Sequence, residues 1–419
     1  MQPENLLILF LILRFVQHLI ETFLSRANYQ YYSDQERQNA AAKVLGISEQ
    51  DMQKTFKYSQ DKNRFGSFNS WVSIAITIAF LGLGGLGLVE GWAIDLASMV
   101  SGGSIITGLA FFAILGLGSS LLSLPFDYYH TFVLEEKHGF NRQTMAGFVG
   151  DRLKGLVIVS ILGGGLLALI LYIMEQAGSS WWVFAWITLF GFSLLTAWLY
   201  PTFLAPMFNK FSPVEEGELR DRIFSLAQKV EFKADGISIM DASKRSTHGN
   251  AYFTGVFGKK KIVLFDNLVK NMNAEEIVAV LAHELGHFKL NHVRWGLIRS
   301  FFISGFMFFL FHQGMQFGGF YQAFSMEPST NYGGLLIFSF WFGLLGFLFQ
   351  PVGSFLSRSN EFAADSFALK NVDNQKALGD ALLKLREHSH AMPISHPWFS
   401  AFYHSHPPLL ERLQAMSYI

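Results

Sequence analysis

Long runs of apolar residues alternate with polar stretches along the 419 residues of the chain. A helix that crosses a bilayer needs about 20 mostly apolar residues, and seven runs reach that length. The pattern therefore predicts a mainly α-helical membrane protein with seven transmembrane helices. The predicted crossings are residues 5–25, 68–90, 105–128, 155–175, 181–204, 296–318 and 333–356.

The first of these runs carries three ionisable residues, Arg14, His18 and Glu21. Ionisable side chains at membrane depth are tolerated mainly where they face the interior of a helix bundle or a wet cavity. The run is therefore either a crossing helix with an inward-facing polar side or an amphipathic helix that lies at the membrane interface.

The two longest polar stretches follow the fifth and the seventh crossings. In the first stretch, residues 215–230 have the spacing of an amphipathic helix, and three β-like runs follow at 237–240, 251–253 and 261–265. A turn at 258–260 predicts a hairpin between the last two runs. The chain thus divides into crossings one to five with their loops (1–205), a mixed α and β region (206–295), crossings six and seven (296–356) and a polar C-terminal region (357–419).

Composition agrees with a membrane protein, because 51% of the residues are hydrophobic and only 15% are charged. The 32 basic residues balance the 32 acidic ones, so no excess of positive charge indicates a nucleic-acid partner. The absence of cysteine excludes disulfides, thiolate metal ligands and cysteine nucleophiles. A metal would have to be bound by His, Asp or Glu side chains.

Lysine and arginine are confined to alternate loops between the crossings. Loops 91–104, 176–180 and 319–332 contain neither residue, whereas the loops between them contain several. Basic residues concentrate on the cytoplasmic side of membrane proteins. This distribution predicts an outside N-terminus and places both long polar stretches in the cytoplasm.

A metal-binding pattern lies in the first polar stretch. Asn273 and Glu276 have the spacing of a capping box, which predicts the start of a helix over residues 274–294. His283 and His287 are four residues apart on that helix, so both rings project from one face and can share a zinc ion. Glu284 lies beside them and can take a proton from water as a general base. The pattern predicts a zinc peptidase.

A catalytic zinc needs a third protein ligand. Leu290 and Val293 stand where the metzincin pattern has Gly and His, so this ligand must come from elsewhere in the chain. Glu361, which follows the seventh crossing, is the predicted ligand. Asp365 lies one helical turn further on and is predicted to accept a hydrogen bond from a ligating histidine.

The C-terminal region contains further ionisable residues. Glu387 and Glu411 are the alternative third ligands, and each tail histidine is expected to have a solvated or packed role. His292, next to the zinc motif, is expected to point away from the ligand face. The tail histidines are His388, His390, His396, His404 and His406.

Two other functions fit parts of the pattern. An intramembrane metalloprotease would take its third ligand from an Asp inside a crossing, but no Asp lies deep in a late crossing. A seven-helix transporter or receptor with a structural zinc would share the crossings and the histidine pair. It would differ in having no peptidase activity.

Several stretches of the chain resemble the zinc-dependent CAAX prenyl endopeptidases of membranes and their bacterial relatives. The resemblance covers nearly the whole chain. It implies a gluzincin-like α+β metalloprotease domain with a short sheet, seven helices that enclose a water-filled chamber, and one Zn²⁺ per chain. The implied substrate is a peptide or protein, either prenylated in CAAX processing or damaged in membrane protein quality control. The matching stretches are residues 135–141, 243–246, 250–255, 283–287, 357–365 and 406–413.

The resemblance also implies roles outside the zinc motif. Asn250 and His406 match positions that steady the substrate and the oxyanion of the tetrahedral intermediate. Ala251, Tyr252 and Phe253 match an edge strand that pairs with the substrate backbone, a form of β-augmentation. No endoplasmic-reticulum retrieval signal ends the chain at residues 417–419. The bacterial inner membrane is expected in preference to the endoplasmic reticulum.

Overall fold

The computed structural model describes residues 2–233, 236–244, 251–254 and 261–419. Long helices make up most of it, and π-helical turns continue three of them at His130–Glu135, Val159–Gly163 and Tyr200–Leu204. The helices of the first half are α1 (Pro3–Ser33), α2 (Gln35–Leu45), α3 (Glu49–Gly82), α4 (Gly85–Ser98), α5 (Ser104–Tyr129), α6 (Met145–Ile158), α7 (Gly164–Gln176), α8 (Trp181–Leu199) and α9 (Ala205–Phe208). Those of the second half are α10 (Glu218–Lys229), α11 (Asp266–Asn271), α12 (Ala274–Lys289), α13 (His292–Gly314), α14 (Gly319–Ala323), α15 (Asn331–Asn371), α16 (Ala377–Ser389), α17 (Pro397–Tyr403) and α18 (Leu409–Ala415).

The prediction of seven crossings is confirmed. Within the described part of the chain, seven helical segments are long and apolar enough to cross a membrane. Only 6% to 17% of the residues in each apolar window are buried inside the protein, so lipid must cover the remaining apolar surface. The segments are Pro3–Ser33, Glu49–Gly82, Ser104–Glu135, Met145–Gln176, Gly178–Phe208, His292–Gly314 and Asn331–Asn371.

The bounds of the second crossing differ from the prediction of residues 68–90. Helix α3 ends at Gly82, and Gly84 then has a left-handed φ of +75°, which glycine adopts at little cost. Gly87 packs closely in the next helix, because an added Cβ would lie 2.4 Å from the Ser325 carbonyl oxygen. The apolar run is therefore divided between α3 and α4, and most of the predicted loop 91–104 is helical.

A four-stranded sheet lies in the first polar stretch, with the strand order β1-β2-β4-β3. Strands β3 and β4 pair antiparallel, as the predicted hairpin requires, although its turn at 258–260 lies outside the described residues. Strand β1 was not predicted; its three residues are too few for a period-two pattern. The strands are β1 (Phe211–Pro213), β2 (Gly236–Met240), β3 (Ala251–Thr254) and β4 (Lys261–Phe265).

The two polar stretches share one hydrophobic core. Leu264 of β4, Leu281 and Leu285 of α12, and Ala368 of α15 are all at most 1% exposed within it. The sheet thus packs on α12, which in turn packs on the C-terminal part of α15. Because α15 also contains the seventh crossing, it connects the membrane helices directly to the helix that carries the histidine pair.

Candidate metal centre and active site

Helix α12 begins where its capping box predicts. The Asn273 side chain accepts a hydrogen bond from the Glu276 backbone N–H, and the Glu276 carboxylate accepts one from the Asn273 backbone N–H, both at 2.9 Å. The helix ends at Lys289 instead of residue 294, because Asn291 takes a left-handed φ of +59° and α13 begins at His292. The predicted C-terminal end of the helix is therefore wrong.

A close contact between α12 and α15 brings the acidic residues to the histidine pair. Gly286 lies in this contact, where an added Cβ would stand 3.1 Å from the Cα atom of Ala364. Ala364 is itself fully buried. A larger side chain at either position would separate the helices, so these small residues set the distance from the histidines to Glu361 and Asp365.

The side chains of His283, His287 and Glu361 converge. The Nε2 atoms of the two histidines are 3.2 Å apart. Nε2 of His283 is 3.4 Å from Glu361 Oε2, and Nε2 of His287 is 3.2 Å from Glu361 Oε1. One donor atom from each residue lies within 4.8 Å of the other two, so the group can hold a metal ion.

The chemistry of this group fits zinc. Tetrahedral zinc with bonds of about 2.0–2.1 Å places its ligand atoms about 3.3 Å apart, close to the separations in this group. Glu361 Oε2 is buried and has no hydrogen-bond partner among the described residues, and Arg412 Nη1 at 3.8 Å is too far away to donate one. A metal ion bound beside this oxygen would satisfy it. Two imidazoles and one carboxylate are also the ligand set of catalytic zinc sites.

Asp365 and Arg412 lie on the Nδ1 side of the His283 ring, opposite Glu361. Nδ1 of His283 is 2.8 Å from Asp365 Oδ1, so a proton on Nδ1 is donated to that carboxylate and Nε2 faces Glu361. Arg412 donates to both oxygens of Asp365, at 2.5 and 2.9 Å. All three residues are buried. Arg412 was not identified from sequence spacing, although the stretch 406–413 that carried the resemblance contains it.

Carboxylates around the centre set the proton affinity of His283. Burial alone would lower the pKa of this histidine, but the hydrogen bond to Asp365 and the nearby Glu361 carboxylate outweigh burial and raise it to about 9. The same carboxylates make the ring a more basic metal donor.

Glu284 is partly buried beside the histidines and accepts no hydrogen bond from any described residue. Burial raises the pKa of its carboxyl above the usual value, while the charges of His283 and His287 act in the opposite direction. A raised pKa suits a carboxylate that accepts a proton and later returns it.

Two further histidines contact the group. His292 lies off the ligand face, as expected: its Nδ1 atom is 3.0 Å from Nδ1 of His287, whereas Nε2 of His287 faces Glu361. Nε2 of His406 is 3.4 Å from Glu361 Oε1. His406 therefore lies beside the predicted metal ligands.

The other tail residues lie outside the group. Glu387 and Glu411, the alternative third ligands, are exposed to solvent. His396 caps α17 by accepting a hydrogen bond from the Trp398 backbone N–H at 3.1 Å. His390 packs edge-on against Phe140.

The predicted substrate strand is described only in part. Ala251 and Tyr252 lie on β3, at the edge of the sheet next to α12. Phe253 belongs to the same strand, whereas Asn250 lies outside the described residues. The described backbone thus includes an edge strand beside the histidine helix.

A cavity of about 1010 Å³ opens next to this group, between α1, α3 and the C-terminal helices. His406 and Arg412 contribute to its wall, together with Asn28 of α1 and Lys62 of α3. Its size and its mixed apolar and polar lining suit a peptide ligand. The cavity also agrees with a crossing α1 that has an inward-facing polar side.

Comparison with known proteins gives matches along almost the whole chain. Residues 28–210 match the model of the CAAX prenyl protease N-terminal region, described as five membrane helices, and residues 213–419 match the model of peptidase family M48. The CAAX prenyl protease 1 homolog of Oryza sativa is 37% identical over 88% of each chain. CAAX prenyl protease 1 of Saccharomyces cerevisiae is 34% identical over 96% of this chain and 93% of its own. The crystal structure of S. mikatae Ste24p superposes with a TM-score of 0.89 at 32% identity, covering 98% of both chains.

Proposed function

The chain belongs to the CAAX prenyl protease family within peptidase family M48, and on this premise we propose that it cleaves prenylated proteins near their C-termini. It is an integral membrane metalloendopeptidase. The observation that supports the proposal most strongly is the convergence of His283, His287 and Glu361 beside Glu284. We propose that these three residues bind one zinc ion per chain.

A zinc ion bound there supplies a Lewis acid that acidifies water and polarises a peptide carbonyl. Glu284 takes the proton of the attacking water and delivers it to the leaving amine as the peptide bond breaks. Its raised pKa brings this proton exchange closer to neutral pH.

Asp365 and Arg412 orient the histidine in this proposal. Asp365 fixes the proton of His283 on Nδ1, so that Nε2 presents its lone pair to the metal. Arg412 holds the Asp365 carboxylate through two hydrogen bonds and compensates its buried charge.

Substrate binding is assigned to the edge strand and to two polar residues that the family resemblance identifies. The edge strand with Ala251, Tyr252 and Phe253 pairs with an extended substrate. Asn250 and His406 steady the substrate and the developing oxyanion. The contact between His406 and Glu361 supports this assignment for the histidine.

The active site is proposed to face the cytoplasm. The loops on the side of the polar stretches carry Lys and Arg, whereas loops 176–180 and 319–332 contain neither. A C-terminal segment of a protein anchored to the cytoplasmic leaflet would then reach the cavity from that side.

Replacing Asp365 with Asn is expected to weaken metal affinity by about 10–100-fold. The amide no longer carries the charge that holds the proton of His283 on Nδ1, and Arg412 loses its anionic partner. Affinity is measured by competition with a chelator of known zinc affinity. The comparison uses the purified full-length chain.

Glu276→Gln is the matched control for this experiment. Glu276 is also a buried carboxylate, in the first turn of α12, and it forms an ion pair of 2.7 Å with Lys384. It does not contact the histidines. Its replacement is expected to lower thermal stability and leave metal affinity unchanged. Equal affinities in the Asp365→Asn and wild-type chains would contradict the orienting role.

A matched set of peptides tests the proposed substrate class. One peptide ends in a farnesylated cysteine followed by three residues, the second has the same cysteine unmodified, and the third carries a straight alkyl chain of equal carbon number. We expect kcat/KM for the farnesylated peptide to exceed that for the unmodified one by about tenfold or more, since an apolar chain contributes about 0.8 kcal/mol per buried CH₂. Equal values for these two peptides would contradict CAAX processing, while cleavage of both would still agree with an endopeptidase.

A further inference from the structure

A cleft of about 690 Å³ lies between α3 and the C-terminal end of α5, where the π-helical turn His130–Glu135 continues the helix. Its floor is apolar and largely aromatic. Stacked rings of Phe65 and Tyr129, with centroids 5.0 Å apart, join the two helices across it. The apolar and aromatic lining includes Phe65, Phe68, Phe126, Tyr129, Val133 and Leu134.

Charged side chains lie at one end of this cleft. Lys137 and His138 both contact the Asp61 carboxylate, at 2.7 and 2.8 Å. Arg64 also lines the cleft, and it forms no hydrogen bond or ion pair with any residue that the structure describes. The lining of the cleft thus holds two basic side chains, Arg64 and Lys137, against the single carboxylate of Asp61. The exposed Arg64 guanidinium has no charged partner among the described residues.

The cleft opens away from the catalytic cavity. Residues of a helix are about 100° apart around its axis, so Lys62, which lines the catalytic cavity, and Arg64, which lines the cleft, are about 200° apart on α3. Phe68 is 62% exposed and Tyr129 is 46% exposed. Aromatic side chains exposed on this face of a membrane helix meet lipid.

The charged end of the cleft lies where the apolar runs of α3 and α5 meet polar sequence. The apolar run of α3 begins at residue 68, just after Arg64, and the apolar run of α5 ends at residue 128, shortly before Lys137. Both cations therefore lie at the ends of their apolar runs, on the side that carries the basic loops. Aromatic rings and basic groups at this level meet the boundary between acyl chains and headgroups.

We propose that this cleft binds an anionic phospholipid of the surrounding bilayer. The acyl chains pack on the aromatic floor, and the phosphate accepts hydrogen bonds from Arg64 and Lys137. A guanidinium matches phosphate with paired N–H donors. The net positive charge of the lining favours an anionic headgroup over a zwitterionic one.

Native mass spectrometry of the purified full chain tests this site. The chain is equilibrated with equal amounts of phosphatidylglycerol and phosphatidylcholine that carry the same acyl chains. We expect the wild type to retain more phosphatidylglycerol than phosphatidylcholine. Arg64→Gln should reduce its retention by about fivefold, as expected for one basic residue near anionic lipid, and Arg64→Lys should restore most of it.

Lys43→Gln is the matched control, since Lys43 is an exposed basic residue of the same region on α2, outside the cleft. It should leave lipid retention unchanged. Equal retention of both lipids by the wild type, or equal losses in Arg64→Gln and Lys43→Gln, would overturn the proposal. Displacement of the retained lipid by the farnesylated peptide would also overturn it, because the cleft would then be a substrate site.

Discussion

A Glu284→Gln chain is expected to hydrolyse peptides about 10²–10⁴-fold more slowly than the wild type and to keep its metal. The amide has nearly the shape of the carboxylate but cannot accept a proton from water at neutral pH. The convergence of His283, His287 and Glu361 does not depend on this side chain. The rate is measured with an internally quenched peptide in detergent or in liposomes.

Glu275→Gln is the control for this change. Glu275 lies on the same helix and is exposed, with contacts to Arg222 at 3.4 Å and to Asn374 at 2.9 Å. Its replacement should leave turnover unchanged. Turnover by Glu284→Gln within about tenfold of the wild type would show that another group accepts the proton.

Replacing Glu361 with Ala is expected to abolish hydrolysis, with a loss of about 10³-fold or more. Loss of the third ligand leaves two imidazole donors, and a metal that supplies several kcal/mol of transition-state stabilisation is no longer held. Because Glu361 is buried and packed against α12, the variant is first checked for an unchanged elution volume in gel filtration. Hydrolysis is then measured with the same quenched peptide.

Glu411→Ala is the matched control for Glu361→Ala. Glu411 is an exposed carboxylate of α18 that the sequence left open as an alternative ligand. Its replacement is expected to leave hydrolysis within about twofold of the wild type, as is usual for an exposed residue without special contacts. If Glu411→Ala were inactive and Glu361→Ala active, the assignment of the third ligand would be wrong.

The histidine helix was predictable because its signals are local. The capping box of Asn273 and Glu276, the apolar period and the spacing of His283 and His287 all lie within one helix. The end of that helix was not predictable in the same way. Asparagine can take the left-handed conformation that Asn291 has, but the sequence does not require it there. This turn places His292 against the Nδ1 side of His287.

The residues that tertiary packing brings to the metal centre were not equally predictable from the sequence. Glu361 and Asp365 could be proposed because they follow the seventh crossing by only a few residues on one helix. Arg412 could not, since its contact with Asp365 depends on how α18 docks against α15. A buried arginine has no spacing signature in a sequence.

Hydropathy identified the number of crossings because lipid contact requires apolar residues along each helix. It did not identify the break at Gly84, since a left-handed glycine inside an apolar run changes the direction of the chain without changing its hydropathy. The same limit explains why α4 was predicted partly as a loop.

The central claim is that His283, His287 and Glu361 hold the metal that Glu284 uses. The most direct test is the zinc content per chain of Glu284→Gln and Glu361→Ala proteins, purified in parallel with the wild type and measured by mass spectrometry of the metal. The account predicts the wild-type content, close to one zinc per chain, in Glu284→Gln and almost none in Glu361→Ala. A full zinc content in Glu361→Ala would contradict it.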